Sequence, residues 1–366
     1  MLESMYVKEP VYGNIEDGKV IKNFGNIQEE YNALRNGAMV YDCSGYGIYI
    51  ISGAEASEFL EKLATKEIQY LNVGNISECY FLNEEAEVVA SVFILRQEKN
   101  YMVITPWEHA GSTKKWLLNN SENYSQVNIQ CMDGQFTAIS IEGPYSWKLV
   151  KNALNIDVGS LPLRVSTDIE IDGEIIQVMR IGRTSEYGYF VLGAQQVGSL
   201  VYERVIREGE KLEHLFSEGG LDVLEMAILE VHQPNFLREK KEFGNIMELE
   251  QQWHIQYDKS EYIGYNKLQE IFENGVQKHS VGFMCQGDFS NLSGEKVYIE
   301  EEHIGYVVYS IFSLKLEKQI GILLLDDPYA QSGLKYKIKK NSGEEIEACT
   351  ISSPFVRPMS WDLKME

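Results

Sequence analysis

The side chains that could carry chemistry are dispersed along this 366-residue chain. Its six histidines, His109, His214, His232, His254, His279 and His303, stand singly, and no HxH, HxxxH or CxxC places two ligands side by side. Spacing therefore assigns no metal site, which needs three or four converging donors. Cys43, Cys79, Cys131, Cys285 and Cys349 are odd in number and lie mostly in apolar, strand-like runs. They read as buried thiols of a reducing compartment, not as a disulfide framework. No GxSxG elbow presents a nucleophile, and no GxGxxG or GxxxxGK[ST] cradles a phosphate. Residue spacing alone stops at a soluble α+β protein of three parts.

The elements that would position a site are more legible. Ile50-Ile51-Ser52-Gly53-Ala54, followed by Ala56, Phe59, Leu60 and Leu63, resembles Ser140-Ile141-Glu142-Gly143-Pro144, followed by Trp147, Leu149, Val150 and Leu154. Each reads as strand, tight glycine turn and helix with one apolar face, so two related α+β units are implied. Between them, the strand-like runs at 80–82, 88–95 and 101–105 are joined first by the turn Asn83-Glu84-Glu85-Ala86, which makes this unit substantially antiparallel. The Asp172-Gly173 turn predicts a hairpin over 169–176, and a second is expected around Glu186-Tyr187-Gly188. Helical periodicity covers 194–208 and 220–231. From Ser280 onward, short alternating runs predict a β-barrel or sandwich.

Composition narrows the partners. Lys and Arg total 33 against 55 Asp and Glu, a net charge of −22 that repels nucleic acid and anionic membranes. A small anion can still bind where a few basic groups converge, because net charge sets only the far field. The first residues carry no basic stretch followed by an apolar run, and no later segment reaches 18 apolar residues. A cytoplasmic location is the expectation.

Read in order, several segments resemble the aminomethyltransferase family, which comprises glycine-cleavage T-proteins and tetrahydrofolate-dependent demethylases. Glu30 through Ser44 resembles the family's first helix and the strand it enters, and Gly143-Pro144 its "QGP". Thr184-Ser185-Glu186-Tyr187-Gly188-Tyr189 resembles "TGExGYE", and Gly220-Leu221 through Leu229-Glu230 resembles "GLxxRDxLRLE". Trp253, Tyr257-Asp258-Lys259 and Tyr262-Ile263-Gly264 follow "GWxxxxxKxxFIG", while Ile311-Phe312-Ser313 and Pro354-Phe355-Val356 match the "TFSP" and "PFV" pieces.

The resemblance implies an α+β fold: a three-domain cloverleaf of two related ferredoxin-like α+β units plus a C-terminal β-barrel. The expected divisions are 1–48 with 138–245 as a discontinuous folate-binding domain, 49–137 as the second unit, 246–277 as a connector and 278–366 as the barrel. It implies tetrahydrofolate as cofactor, held by the carboxylate of Glu186 against the N–H donors of the pterin and by aromatic walls from Tyr46, Tyr80 and Trp253. Without the family, Glu186 reads as an exposed turn residue and the aromatic residues as core.

The pattern also breaks. The family's "GGxxDD" strand, whose Asp acts at the folate nitrogen, is here Ala86-Glu87-Val88-Val89-Ala90-Ser91. Neither Ala90 nor Ser91 exchanges protons near neutral pH, and Glu87 falls on the other face of an alternating strand. The family's Arg-Asp pair becomes Leu224-Glu225, its second Arg becomes Ile228, and the His of "SHM" becomes Gly45. The expectation is methyl transfer to tetrahydrofolate from a small O-, S- or N-methylated donor, with Trp107, His109 and His232 beside Tyr46 as substrate-side groups. The alternatives are aminomethyl transfer from a lipoyl carrier protein and folate binding without catalysis.

Overall fold

Two glycine turns set the plan of the molecule. In the computed structural model, which describes residues 2–365 apart from 16, 17, 240–242, 244 and 290, Gly53 has φ +109° and Gly143 φ +135°. A Cβ at either would lie 1.9 Å from the Gln126 carbonyl oxygen or 2.4 Å from that of Gly37. Only glycine permits both the left-handed backbone and the close approach. Each turn links a strand to a helix, as the sequence repeat predicts.

The first unit begins with a hairpin of β1 (Val11–Ile15) and β2 (Gly18–Asn23). Helix α1 (Ile27–Asn36) follows, capped where Asn26 Oδ1 accepts the Glu29 N–H at 3.2 Å. After β3 (Ala38–Asp42) the chain departs into the second unit. That unit runs β4 (Gly47–Ser52), α2 (Ala56–Leu63), β5 (Ile76–Leu82), β6 (Val88–Arg96), β7 (Asn100–Thr105), α3 (Ala110–Ser121) and β8 (Asn128–Cys131). Its sheet is antiparallel, ordered β5-β6-β7-β4-β8.

The chain then returns through β9 (Phe136–Glu142), α4 (Ser146–Leu154), β10 (Ser166–Ile171), β11 (Glu174–Met179), β12 (Gly188–Ala194), α5 (Gln195–Gly209), β13 (Phe216–Glu218) and α6 (Leu221–Glu230). The first sheet is ordered β10-β11-β12-β9-β3-β13, so strands from both sides of the insertion share it. Tyr31, Leu34, Met39 and Tyr41 of the first unit join Phe93, Leu95, Met102 and Ile104 of the second in one apolar core between the sheets. Burying this seam holds the two units together.

The connector contains α7 (Phe236–Glu239) and α8 (Tyr265–Asn274). Strands β14 (Lys278–Cys285), β15 (Lys296–Ile299), β16 (Glu302–Ser313), β17 (Lys318–Asp326), β18 (Lys335–Lys339) and β19 (Glu345–Ile351) close into a barrel ordered β14-β17-β16-β15-β18-β19. The barrel docks on α6, where the Phe355 and Val356 N–H groups donate to the Glu230 carbonyl at 2.7 and 3.0 Å. Among the described residues, no helix is long and apolar enough to cross a membrane. All five cysteines are free.

One local expectation changes. The second hairpin is not a tight turn at 186–188: β11 and β12 do pair antiparallel, but through a loop of residues 180–187 that folds inward. The cause is the buried carboxylate of Glu142 at the end of β9. It accepts the Arg183 N–H at 3.1 Å, the Thr184 N–H at 3.0 Å and the Thr184 hydroxyl at 2.5 Å. These bonds draw the loop over the sheet edge, and Glu186 with it.

Candidate ligand site between the first two units

Glu186 is buried at the centre of a charged network. Arg35, in the last turn of α1, donates from Nη1 to Glu186 Oε1 at 3.1 Å and from Nη2 to Glu230 Oε2 at 2.9 Å. Its remaining donors reach the Thr184 and Ala227 carbonyls and, through Nε, Glu230 again. Burial works against its charge, but Glu230, Tyr31 and Glu186 together raise its pKa above the ordinary value. Glu230 also accepts the Tyr31 hydroxyl and, from the barrel, the Ser313 hydroxyl, both at 2.7 Å. Three regions of the chain thus meet at one guanidinium.

The far side of Glu186 is met by the C-terminal segment. The Met359 N–H donates to Oε1 at 3.2 Å, while the Ser360 N–H and hydroxyl donate to Oε2 at 3.0 and 2.5 Å. Ser360 Oγ in turn accepts the Tyr187 N–H at 2.9 Å. The segment thereby becomes one wall of a cavity of about 350 Å³.

Glu186, Trp253 and Trp361 line this cavity with Phe93, Arg164, Arg180 and Arg183. Trp253 and Trp361 are 45% and 55% exposed, so they present aromatic faces that the fold leaves uncovered. Three guanidiniums converge here on an otherwise acidic molecule. Arg164 donates to Glu78 at 2.5 Å and Arg183 to Glu108 at 2.7 Å. Arg180 is held by neutral groups: it donates to the Leu161 carbonyl at 2.6 Å and lies over the Tyr187 ring. Its charge remains available to an anion. A flat ring carrying N–H donors and an anionic tail suits this lining.

The other residues singled out in the sequence are distributed unevenly. Tyr46 is buried behind Arg183 and meets the edge of Trp107 at 4.6 Å between ring centroids. Tyr80 has no exposed surface: it packs on His254 at 4.3 Å and on Phe236 at 5.5 Å, and His109 meets the same Phe236 at 5.0 Å. Burial pushes His254 down to about 3, so that imidazole is uncharged at neutral pH. His232 lies apart, hydrogen-bonded to Ser353 and stacked on Phe355, and lines a separate cavity that Trp253 also borders. Glu186 and Trp253 are therefore brought to one cavity, whereas Tyr46, Tyr80, Trp107, His109 and His232 are not part of its lining.

On β6, Ala90 is buried in the second unit's own core, and Ser91 faces the same side as Phe93, which does line the cavity. Glu87 sits at the exposed turn, accepting from Asn83 Nδ2 at 2.7 Å. No carboxylate stands at the Ser91 position. A buried carboxylate that sequence reading missed is Glu108, whose Oε2 makes no hydrogen bond and whose Oε1 is held by Arg183. A Trp-Glu-His run following Pro106, and an Arg beside Thr184, were its only local signals. Among the described residues, no group of three His, Cys, Asp or Glu could hold a metal ion.

Residues 6–259 match the GCVT N-terminal domain, and residues 278–357 match the glycine cleavage T-protein C-terminal barrel domain. An aminomethyltransferase of Caldanaerobacter subterraneus subsp. tengcongensis is 26% identical over 317 residues, covering 86% of this chain and 84% of that protein. A probable aminomethyltransferase of Thermococcus gammatolerans is 25% identical, covering 92% and 91%. The crystal structure of the glycine cleavage system aminomethyltransferase T from Bartonella henselae superposes with a TM-score of 0.86 at 16% identity, covering 98% of this chain and 96% of that one. At that identity the structural likeness establishes the fold.

Proposed function

The chain belongs to the glycine-cleavage T-protein family of aminomethyltransferases, and from that premise we propose that it is a tetrahydrofolate-dependent one-carbon transferase whose folate enters the cavity beside Glu186. The observation that carries this reading is the cavity lining: a buried carboxylate, two uncovered tryptophans and a guanidinium with neutral partners. The pterin N–H groups would pair with Glu186 in place of the Ser360 donors, its ring would lie along Trp253, and Arg180 would meet the carboxylates of the folate tail. Binding in a fixed orientation supplies much of such a rate, because donor carbon and folate nitrogen are held in reacting geometry.

The relatives' activity favours an aminomethyl unit delivered by a lipoyl carrier protein. A methyl unit from a small O-, S- or N-methylated donor is favoured by Ala90 and Ser91, which leave β6 without the acid–base carboxylate. A single experiment separates the two. The protein is incubated with tetrahydrofolate and either aminomethylated lipoyl carrier protein or a panel of methylated compounds. Formation of 5,10-methylene-tetrahydrofolate supports the first and of 5-methyl-tetrahydrofolate the second. Calorimetric titration with tetrahydrofolate tests the shared premise: affinity should fall at least tenfold in Glu186→Ala, and unchanged affinity overturns the role given to that carboxylate.

A further inference from the structure

A cavity of about 600 Å³ opens where the connector meets the barrel. Glu250, Gln251 and Trp253 line it from the connector, and Ser280, Asp327 and Ser353 from the barrel. It is a space apart from the cavity beside Glu186. Only Trp253 lines both, and the chain neighbours His232 and Gln233 line one each. Two buried polar atoms in the lining have no partner. Gln251 is 4% exposed and Ser280 7%, yet neither Gln251 Oε1 nor Ser280 Oγ makes a hydrogen bond. Buried polar groups are normally paired, and leaving one unpaired is costly. Both atoms border the same cavity, so a ligand carrying N–H or O–H groups can satisfy both at once. The backbone is also strained here: His232 and Glu250 stand at φ +55° and +56°, a left-handed conformation that costs free energy in a residue with a side chain and persists only where its surroundings impose it.

The charge of the lining is one-sided. Among the described residues it includes no lysine or arginine. Burial lowers His232 to about 4, so its imidazole is neutral at physiological pH, and its Nδ1 lies 2.5 Å from Ser353 Oγ. Glu250 is engaged by His279, whose Nδ1 lies 2.7 Å from its Oε1. Asp327 pairs with no group among the described residues. An anion therefore meets no counter-charge here, whereas a cation meets an unpaired carboxylate and the face of an indole. The remaining partners, hydroxyls, an amide oxygen and a neutral imidazole, suit hydroxyl groups, which both donate and accept. A space of this size takes a body the size of a sugar and not a bare ammonium ion.

We propose that this cavity is a second ligand site and that its occupant is a hydroxyl-bearing ammonium compound of amino-sugar size, with Asp327 as counter-ion, Gln251 Oε1 and the Ser280 hydroxyl as hydrogen-bond partners, and Trp253 against its carbon skeleton. The site is additional to the one-carbon reading and does not rest on it. No group transfer is assigned to its occupant.

The test uses the full chain without folate, so its outcome is independent of the folate reading. Glucosamine is titrated calorimetrically at pH 6.5, where its amine is charged, with glucose as the neutral counterpart that carries a hydroxyl in place of the ammonium. Saturable glucosamine binding is expected, at least tenfold tighter than that of glucose, and at least tenfold weaker in Gln251→Leu and in Asp327→Asn. Gln251→Leu should melt no lower than the wild type, because the oxygen it removes makes no hydrogen bond in the free protein. A merely structural Gln251 would instead lower the melting temperature. Asp327→Asn, at an exposed position, keeps the test valid if the first variant misfolds. Equal binding of the two sugars, no saturable glucosamine binding, or wild-type affinity in both variants overturns the proposal.

Discussion

At the scale of single residues, the fold spends buried charge freely, and each case has a named partner. Glu239 is one such case. It sits fully buried in α7, accepts the Asn235 N–H at 3.1 Å, and burial pushes it up to about 8. A carboxyl raised above its unfolded value favours folding most at low pH, and that contribution is lost as pH rises through 8. Glutamine keeps the acceptor and cannot ionise. Urea unfolding at pH 5, 6, 7 and 8 should show Glu239→Gln gaining on the wild type as pH rises, by up to about 1.4 kcal/mol per unit. A difference that stays flat across the series refutes the assignment. Sequence motifs located Glu186 and Trp253, because both lie in runs with a recognisable order. Arg183 and Glu108 escaped notice because their ion pair joins residues 75 positions apart, and no local period records such a pairing.

At the scale of elements, the two strand–glycine–helix repeats were legible because a turn and an apolar helical face are local properties. The 180–187 loop was not, because the groups that shape it come from β9 and β3. Glu142 and the Tyr41 hydroxyl that donates to it at 2.5 Å hold the loop from outside. The glycine turns carry their own prediction. Gly143→Ala must move the Gly37 carbonyl and strain a backbone at φ +135°, which should cost about 2–4 kcal/mol in denaturant unfolding. A cost below about 1 kcal/mol would show that the turn relaxes freely.

At the scale of the whole molecule, the barrel and the C-terminal segment are joined to the first unit through Glu230 and Glu186 and not through apolar packing alone. Deleting residues 359–365 removes three donors from Glu186 and should destabilise the protein by roughly 2–5 kcal/mol. The same deletion in a Glu186→Ala background should cost less, since the carboxylate it orphans is gone. Equal costs in the two backgrounds would place the segment's contribution elsewhere. This closure was invisible in the sequence: in the tail, Met359, Trp361, Leu363 and Met365 alternate with polar residues, and nothing in that short pattern indicates which surface it meets.

The insertion between β3 and β9 has a kinetic meaning as well. Met39 pairs with Glu142 across a long span of chain, and closing so large a loop is slow when its interior is disordered. Yet β4 and β8, the first and last strands of the insertion, are hydrogen-bonded neighbours, with Tyr49 opposite Cys131. Once that sheet forms, β3 and β9 are delivered side by side and the remaining gap is a few residues. The inserted unit acts as a clasp, and it should become protected from hydrogen exchange in refolding before the sheet that encloses it.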